Sequence, residues 1–105
     1  METLHLFGTE VQKREWLEPL KRGQIRSSFV MTEPGVASSD AAQLATRIER
    51  KGPNLVITGK KWWISGAGDP RCKVFLVLGL TDCSPDLSKP KPRHRRHSIV
   101  IVPKN

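Results

Sequence analysis

Long apolar runs are what this sequence has least of. No stretch of its 105 residues approaches the roughly 18 apolar residues that a membrane-spanning helix needs. The opening METLHLFG has an acidic second residue and lacks the apolar core of a secretory leader, so a soluble, intracellular protein is expected. Cysteine is scarce as well. Cys72 and Cys83 have no accompanying histidine pairs, which gives no zinc site and leaves free thiols as the default. The histidines do not repair that deficit: His5 lies in an amphipathic stretch, and His94 and His97 stand in a basic, proline-rich run where solvent exposure explains them.

Acidic residues are outnumbered, ten against 18 lysines and arginines, for a formal net charge of +8. Such a balance invites a nucleic-acid or anionic-membrane partner. The distribution argues against it. Much of the excess lies in KREWLEPLKRGQIR (Lys13 to Arg26) and KPKPRHRRH (Lys89 to His97), and neither has the interleaved aromatics of a single-strand stacking platform. A solvated, flexible basic loop accounts for the second run. With 37% hydrophobic and 27% charged residues, the chain reads as one small, marginally stable globular unit at most.

Helices come first along the chain. Glu2 to Phe7 looks like the tail of one. Thr9 followed by Gln12 has the form of a capping box, with Val11, Trp16, Leu17 and Leu20 near one face, so a second helix should start at about Glu10. Pro19 should kink or restart it before Gly23 ends it. From Ile25 the period changes. Phe29 to Met31, Leu44 to Arg50, Asn54 to Ser65, Lys73 to Leu80 and Ser98 to Pro103 are strand-like runs divided by turn clusters. KGPN (Lys51 to Asn54) is a tight turn, TGKK (Thr58 to Lys61) is a place for a bend or bulge, and the polar segment after Leu80 suits an exposed connection. The expected class is α+β: the last helices of an all-α domain, residues 1–26, followed over 27–105 by the first half of an antiparallel β-barrel or sandwich.

Two stretches gather chemistry. TEPGVASSDA (Thr32 to Ala41) combines small residues, whose backbone N–H groups can approach an anion or heteroaromatic ring, with the hydroxyls of Thr32, Ser38 and Ser39. A plain surface turn at Pro34-Gly35, capped by Ser-Ser-Asp, explains the same residues. In GKKWWISGAG (Gly59 to Gly68) the adjacent tryptophans, if on a strand, point to opposite faces, so one must cover something other than the core layer. A flat indole suits a planar ring, and Ser65 would face the same side as Trp63. Packing of both indoles against apolar neighbours, one of them near Trp16, is the plainer alternative.

In this order, REWLEPLKRGQIRSSFVMTEPGVASSDA and ITGKKWWISGAG resemble the acyl-CoA dehydrogenase family, with wording most like its large multidomain members, the tenth and eleventh. The resemblance covers nearly the whole chain, from the last helices of the family's N-terminal α-domain to about the midpoint of its middle β-domain. It implies FAD as cofactor, held by Phe29, Met31 and Thr32 and by Trp63, Ile64 and Ser65, with Trp63 on the flavin face away from substrate. The serine before the aspartate, Ser39 with Ser38 as its neighbour, would lie near the acyl-CoA and the flavin phosphates. The family's loop has a glycine before Ser-Asp and is one residue shorter than VASSD, so both serines stay candidates.

The implied reaction is α,β-dehydrogenation of acyl-CoA thioesters in fatty acid β-oxidation, with a carboxylate base from the C-terminal α-domain. No residue here corresponds to that base, and Glu33 is read as a local carboxylate, turn-stabilising or at the barrel edge. This chain alone is therefore expected to be inactive and, with open strand edges, to fold poorly. The resemblance further implies homo-oligomers, a mitochondrial or peroxisomal setting, and no nucleic-acid partner. A non-catalytic interaction module and a basic nucleic-acid binder are the rival readings, and neither accounts for the two motifs together.

Overall fold

The computed structural model describes residues 1–37, 40–81 and 92–105. Helix α1 spans Glu2–Phe7 and buries Leu4. Thr9 then caps helix α2, its hydroxyl accepting from Gln12 N–H at 3.3 Å while Gln12 Oε1 accepts from Thr9 N–H at 3.0 Å, a reciprocal box that fixes the start at Glu10. The α2 helix runs through Glu10–Gln12, widens to a π-helical turn over Lys13–Leu17 and returns to α over Glu18–Lys21. The widening stands directly before Pro19, which falls in the first turn of the last stretch, where a missing N–H is tolerated. Gly23, at φ 70°, ends the helix as its N–H bonds back to Leu20 O and that of Gln24 to Pro19 O.

Five strands follow among the described residues: β1 Arg26–Val30, β2 Arg47–Lys51, β3 Asn54–Thr58, β4 Cys72–Leu80 and β5 His97–Pro103. β4 is the centre. In its apolar run Val74, Leu76 and Val77 are buried and Phe75 and Leu78 half-buried. One edge of β4 carries β5 in antiparallel register, from Val74↔Pro103 to Leu80↔His97. Its pairing with β1, Arg26↔Cys72 to Val30↔Val77, is parallel, and so is the single β2 pair Arg47↔Leu80. The sheet is thus mixed, where the sequence suggests an antiparallel one. A direct hairpin from β1 is replaced by the long excursion through β2 and β3, and such a crossover permits parallel return. β2 and β3 form the short hairpin expected at KGPN: Lys51 pairs with Asn54, and Gly52 takes φ 61° at the first turn position.

Residues 59–65 depart from expectation. β3 stops at Thr58, and no strand carries the tryptophans. The chain leaves the sheet at Gly59, where it passes so close to the residue before β2 that a Cβ would overlap Thr46 Oγ1 and stand 2.8 Å from Thr46 Cα. The core is built from Leu4, Leu17, Val30, Leu44, Ile48, Cys72, Val74, Leu76 and Val77. A groove of about 940 Å³ between α1 and the β4–β5 face is lined by Leu4, Phe7, Leu76, Leu78, Ile99 and Ile101 among others, and none of the described cofactor-binding candidates, Phe29, Met31, Thr32, Trp63, Ile64 and Ser65, lines it.

Candidate functional site

The chain leaves β1 and turns at once. Pro34 and Gly35 form the centre of the turn, with Val36 N–H donating to Glu33 O at 3.4 Å, as the Pro-Gly pair favours. Asp40 caps the 3-10 turn Ala41–Gln43, accepting from Ala42 N–H at 3.0 Å and from the Gln43 amide at 2.7 Å. Ser38 and Ser39 lie outside the described residues.

Glu33 turns inward. Its Oε2 accepts from Ala45 N–H at 2.7 Å, and its Oε1 accepts from Thr46 N–H at 2.9 Å and meets Lys61 Nζ at 2.9 Å. Burial by itself would raise this carboxyl, but the donors of Thr46, Ala45 and Lys61 outweigh it and hold the group at about 2. Lys61 is also enclosed, with its side chain 10% exposed against 4% for Glu33. The ammonium also donates to Met31 O at 2.7 Å and Leu78 O at 2.8 Å, so three acceptors meet its three protons. Leu78 stands where β4 has left β1, after Val77, and has not yet met β2, at Leu80; Lys61 fills that gap.

Beside this pair the two motifs join through the backbone. Trp62 N–H donates to Thr32 O at 3.1 Å. Trp63 then takes φ 53°, the left-handed region that bulky residues rarely enter, and its side chain stands 80% exposed. Its ring centroid lies 5.6 Å from that of Trp62, tilted by 47°. Neither indole is in the core, since Trp62 is itself 44% exposed, which corrects both the opposite-face strand reading and the packing of both rings against apolar neighbours. Bonds from Ala67 N–H to Ile64 O and from Asp69 N–H to Gly66 O wind the next residues into turns. Gly66, at φ 78°, approaches Ser28, where a Cβ would meet Oγ at 3.2 Å, so this turn rests on β1 next to Phe29.

The structure brings most of the sequence candidates to one neighbourhood. Phe29 is on β1 and 47% exposed, Met31 and Thr32 are half-buried directly after it, and Trp63, Ile64 and Ser65 come just past the Trp62–Thr32 bond, with Ser65 exposed. Lys61 is the residue that sequence reasoning misses. A lysine beside two tryptophans carries no periodic signal, and two of its acceptors lie 30 and 17 positions away in the chain.

The family model for the acyl-CoA dehydrogenase middle domain matches residues 28–105. Acyl-CoA dehydrogenase family member 11 from Mus musculus is 55% identical over 103 residues, covering 98% of this chain and 13% of the relative; its Gallus gallus counterpart is 57% identical with the same coverage. The chain thus spans about an eighth of those relatives. Among solved structures, an acyl-CoA dehydrogenase from Geobacillus kaustophilus superposes with a TM-score of 0.82 at 29% identity, over 99% of this chain and 25% of that one. A glutaryl-CoA dehydrogenase from Mycobacterium smegmatis, in complex with FADH2, gives 0.77 at 28% identity, over 97% and 22%. A profile match over most of the length, agreement in fold, and the two motifs meeting in space lead to one conclusion: the chain belongs to the acyl-CoA dehydrogenase family and carries its middle-domain sequence.

Proposed function

We propose that this chain supplies part of an FAD and acyl-CoA site used for α,β-dehydrogenation of acyl-CoA thioesters. One observation carries the reading: Trp63, exposed and held in a left-handed backbone, stands next to the T-E-P turn through the Trp62–Thr32 bond. An exposed indole fixed by its backbone is a ready face for a planar ring. The hydroxyls of Thr32 and Ser65 make no hydrogen bond to a described residue, which fits them to the polar edge of a flavin. The likeness to a glutaryl-CoA dehydrogenase solved with FADH2 supports the same cofactor.

In this reading Phe29, Met31, Thr32, Trp63, Ile64 and Ser65 would hold the FAD, with Trp63 on the flavin face away from substrate, while Ser39, or its neighbour Ser38, serves the acyl-CoA and flavin phosphates. FAD, when bound, supplies the hydride acceptor. Glu33 is no base for the reaction: its oxygens are engaged by two backbone N–H groups and an ammonium, and it stays ionised to about pH 2. Residues 1–26 belong to the end of an α-domain and 27–105 to part of the β-domain. Homo-oligomers, a mitochondrial or peroxisomal setting and β-oxidation go with the same reading.

Titration of the 105-residue chain with FAD, followed by flavin fluorescence, tests it. Saturable quenching is expected, weakened about tenfold or more in Trp63→Ala and in Thr32→Val. Quenching that never saturates, or that both variants leave untouched, contradicts the proposal.

A further inference from the structure

One buried ion pair has no part in the flavin reading as it stands, and the role inferred for it rests on that reading. Glu33 and Lys61 tie four separate pieces of chain to one point: the turn after β1 through Glu33 itself and Met31 O, the approach to β2 through Ala45 and Thr46, the end of β4 through Leu78 O, and the Trp62–Ser65 segment through Lys61's own backbone. Two of these four pieces carry residues proposed above to hold the cofactor. Removing an ion pair from water is costly, and an apolar pair of similar volume often serves stability as well or better. The position that the pair fixes is a role that such an apolar pair would not supply.

We propose that Lys61 and Glu33 are positioning residues: without touching the cofactor, they hold Met31–Thr32 and Trp63–Ser65 in register so that both can meet one flavin ring. The geometry is specific to an ammonium. Three acceptors converge on a single atom within 2.7 to 2.9 Å, a pattern that a compact point charge satisfies and a planar guanidinium does not. The Trp62–Thr32 bond lies immediately beyond the pair, so a shift of Lys61 is passed directly to Trp63.

The test uses Lys61→Met and Glu33→Gln, each as the 105-residue chain, with amide NMR spectra recorded before and after adding FAD. Without FAD, the amides of Thr32 and Trp62–Ser65 are expected to move or broaden in both variants, while those of the β4–β5 ladder keep their positions. With FAD, affinity is expected to fall about tenfold and the quenching of bound flavin to weaken. Should Lys61→Met not fold, Lys61→Arg keeps the charge, loses the three-way fit and is expected to show the same local changes. Unaltered loop amides in the folded variants overturn the proposal, as does unaltered flavin affinity. Failure of the unsubstituted chain to bind FAD overturns the flavin reading instead, and the flavin-free spectra still report whether the pair sets the loop.

Discussion

At the scale of single residues, two positions convert geometry into measurable stability. Gly59 runs against Thr46 so closely that a methyl group would overlap its backbone as well as its hydroxyl. Gly59→Ala is therefore expected to destabilise the chain by about 1–3 kcal/mol, the usual scale of overpacking, in a urea melt; an unchanged midpoint would show that the hairpin can slide away. Glu33 gives a pH dependence with a definite sign. Its folded value of about 2 lies below the ordinary 4.5, so its stabilisation is complete above about pH 4.5 and is lost as pH falls through about 2. That contribution is roughly 2–4 kcal/mol. Acid melts should steepen across that window in the unsubstituted chain and lose part of the slope in Glu33→Gln; equal slopes would contradict the assignment.

At the scale of elements, β4 is the strand on which the others depend. Leu76 is buried and central, and Leu76→Ala is expected to cost about 2–5 kcal/mol. On the neighbouring β5 ladder Ile99, opposite Leu78, is 40% exposed, and its truncation should cost clearly less. Comparable losses from the two, read by denaturant titration, would mean that the groove side of the sheet is covered in solution. The elements most legible in the sequence are those set by near neighbours. The Thr9–Gln12 box, the Gly52–Pro53 turn and the apolar run of β4 all show in local pattern. Trp62 and Trp63 do not, because β-favouring side chains are overridden by a close pass against Thr46 and by bonds to Thr32, neither of which local pattern encodes. Parallel pairing of β1 with β4 is hidden for the same reason: its partners are separated by two other strands.

At the scale of the whole molecule, helices and a mixed sheet bring two motifs to one place. Their order in the sequence reveals the family, but the joint between them, Lys61 reaching Glu33, Met31 and Leu78, becomes visible only in three dimensions. Leu6, Phe7 and Val11 on the first helices are exposed, and the apolar groove beside α1 adds to a surface unusual for a small isolated unit. That groove is a competing place for a ligand to settle. The most direct test is thus a residue-resolved one: an NMR titration of the 105-residue chain with FAD, with the indole N–H of Trp63 and the amides of Thr32, Ile64 and Ser65 as reporters. Saturable shifts of these four signals with a common dissociation constant are the predicted result. Shifts confined to the groove residues Leu76, Ile99 and Ile101, with the motif signals unmoved, would contradict it.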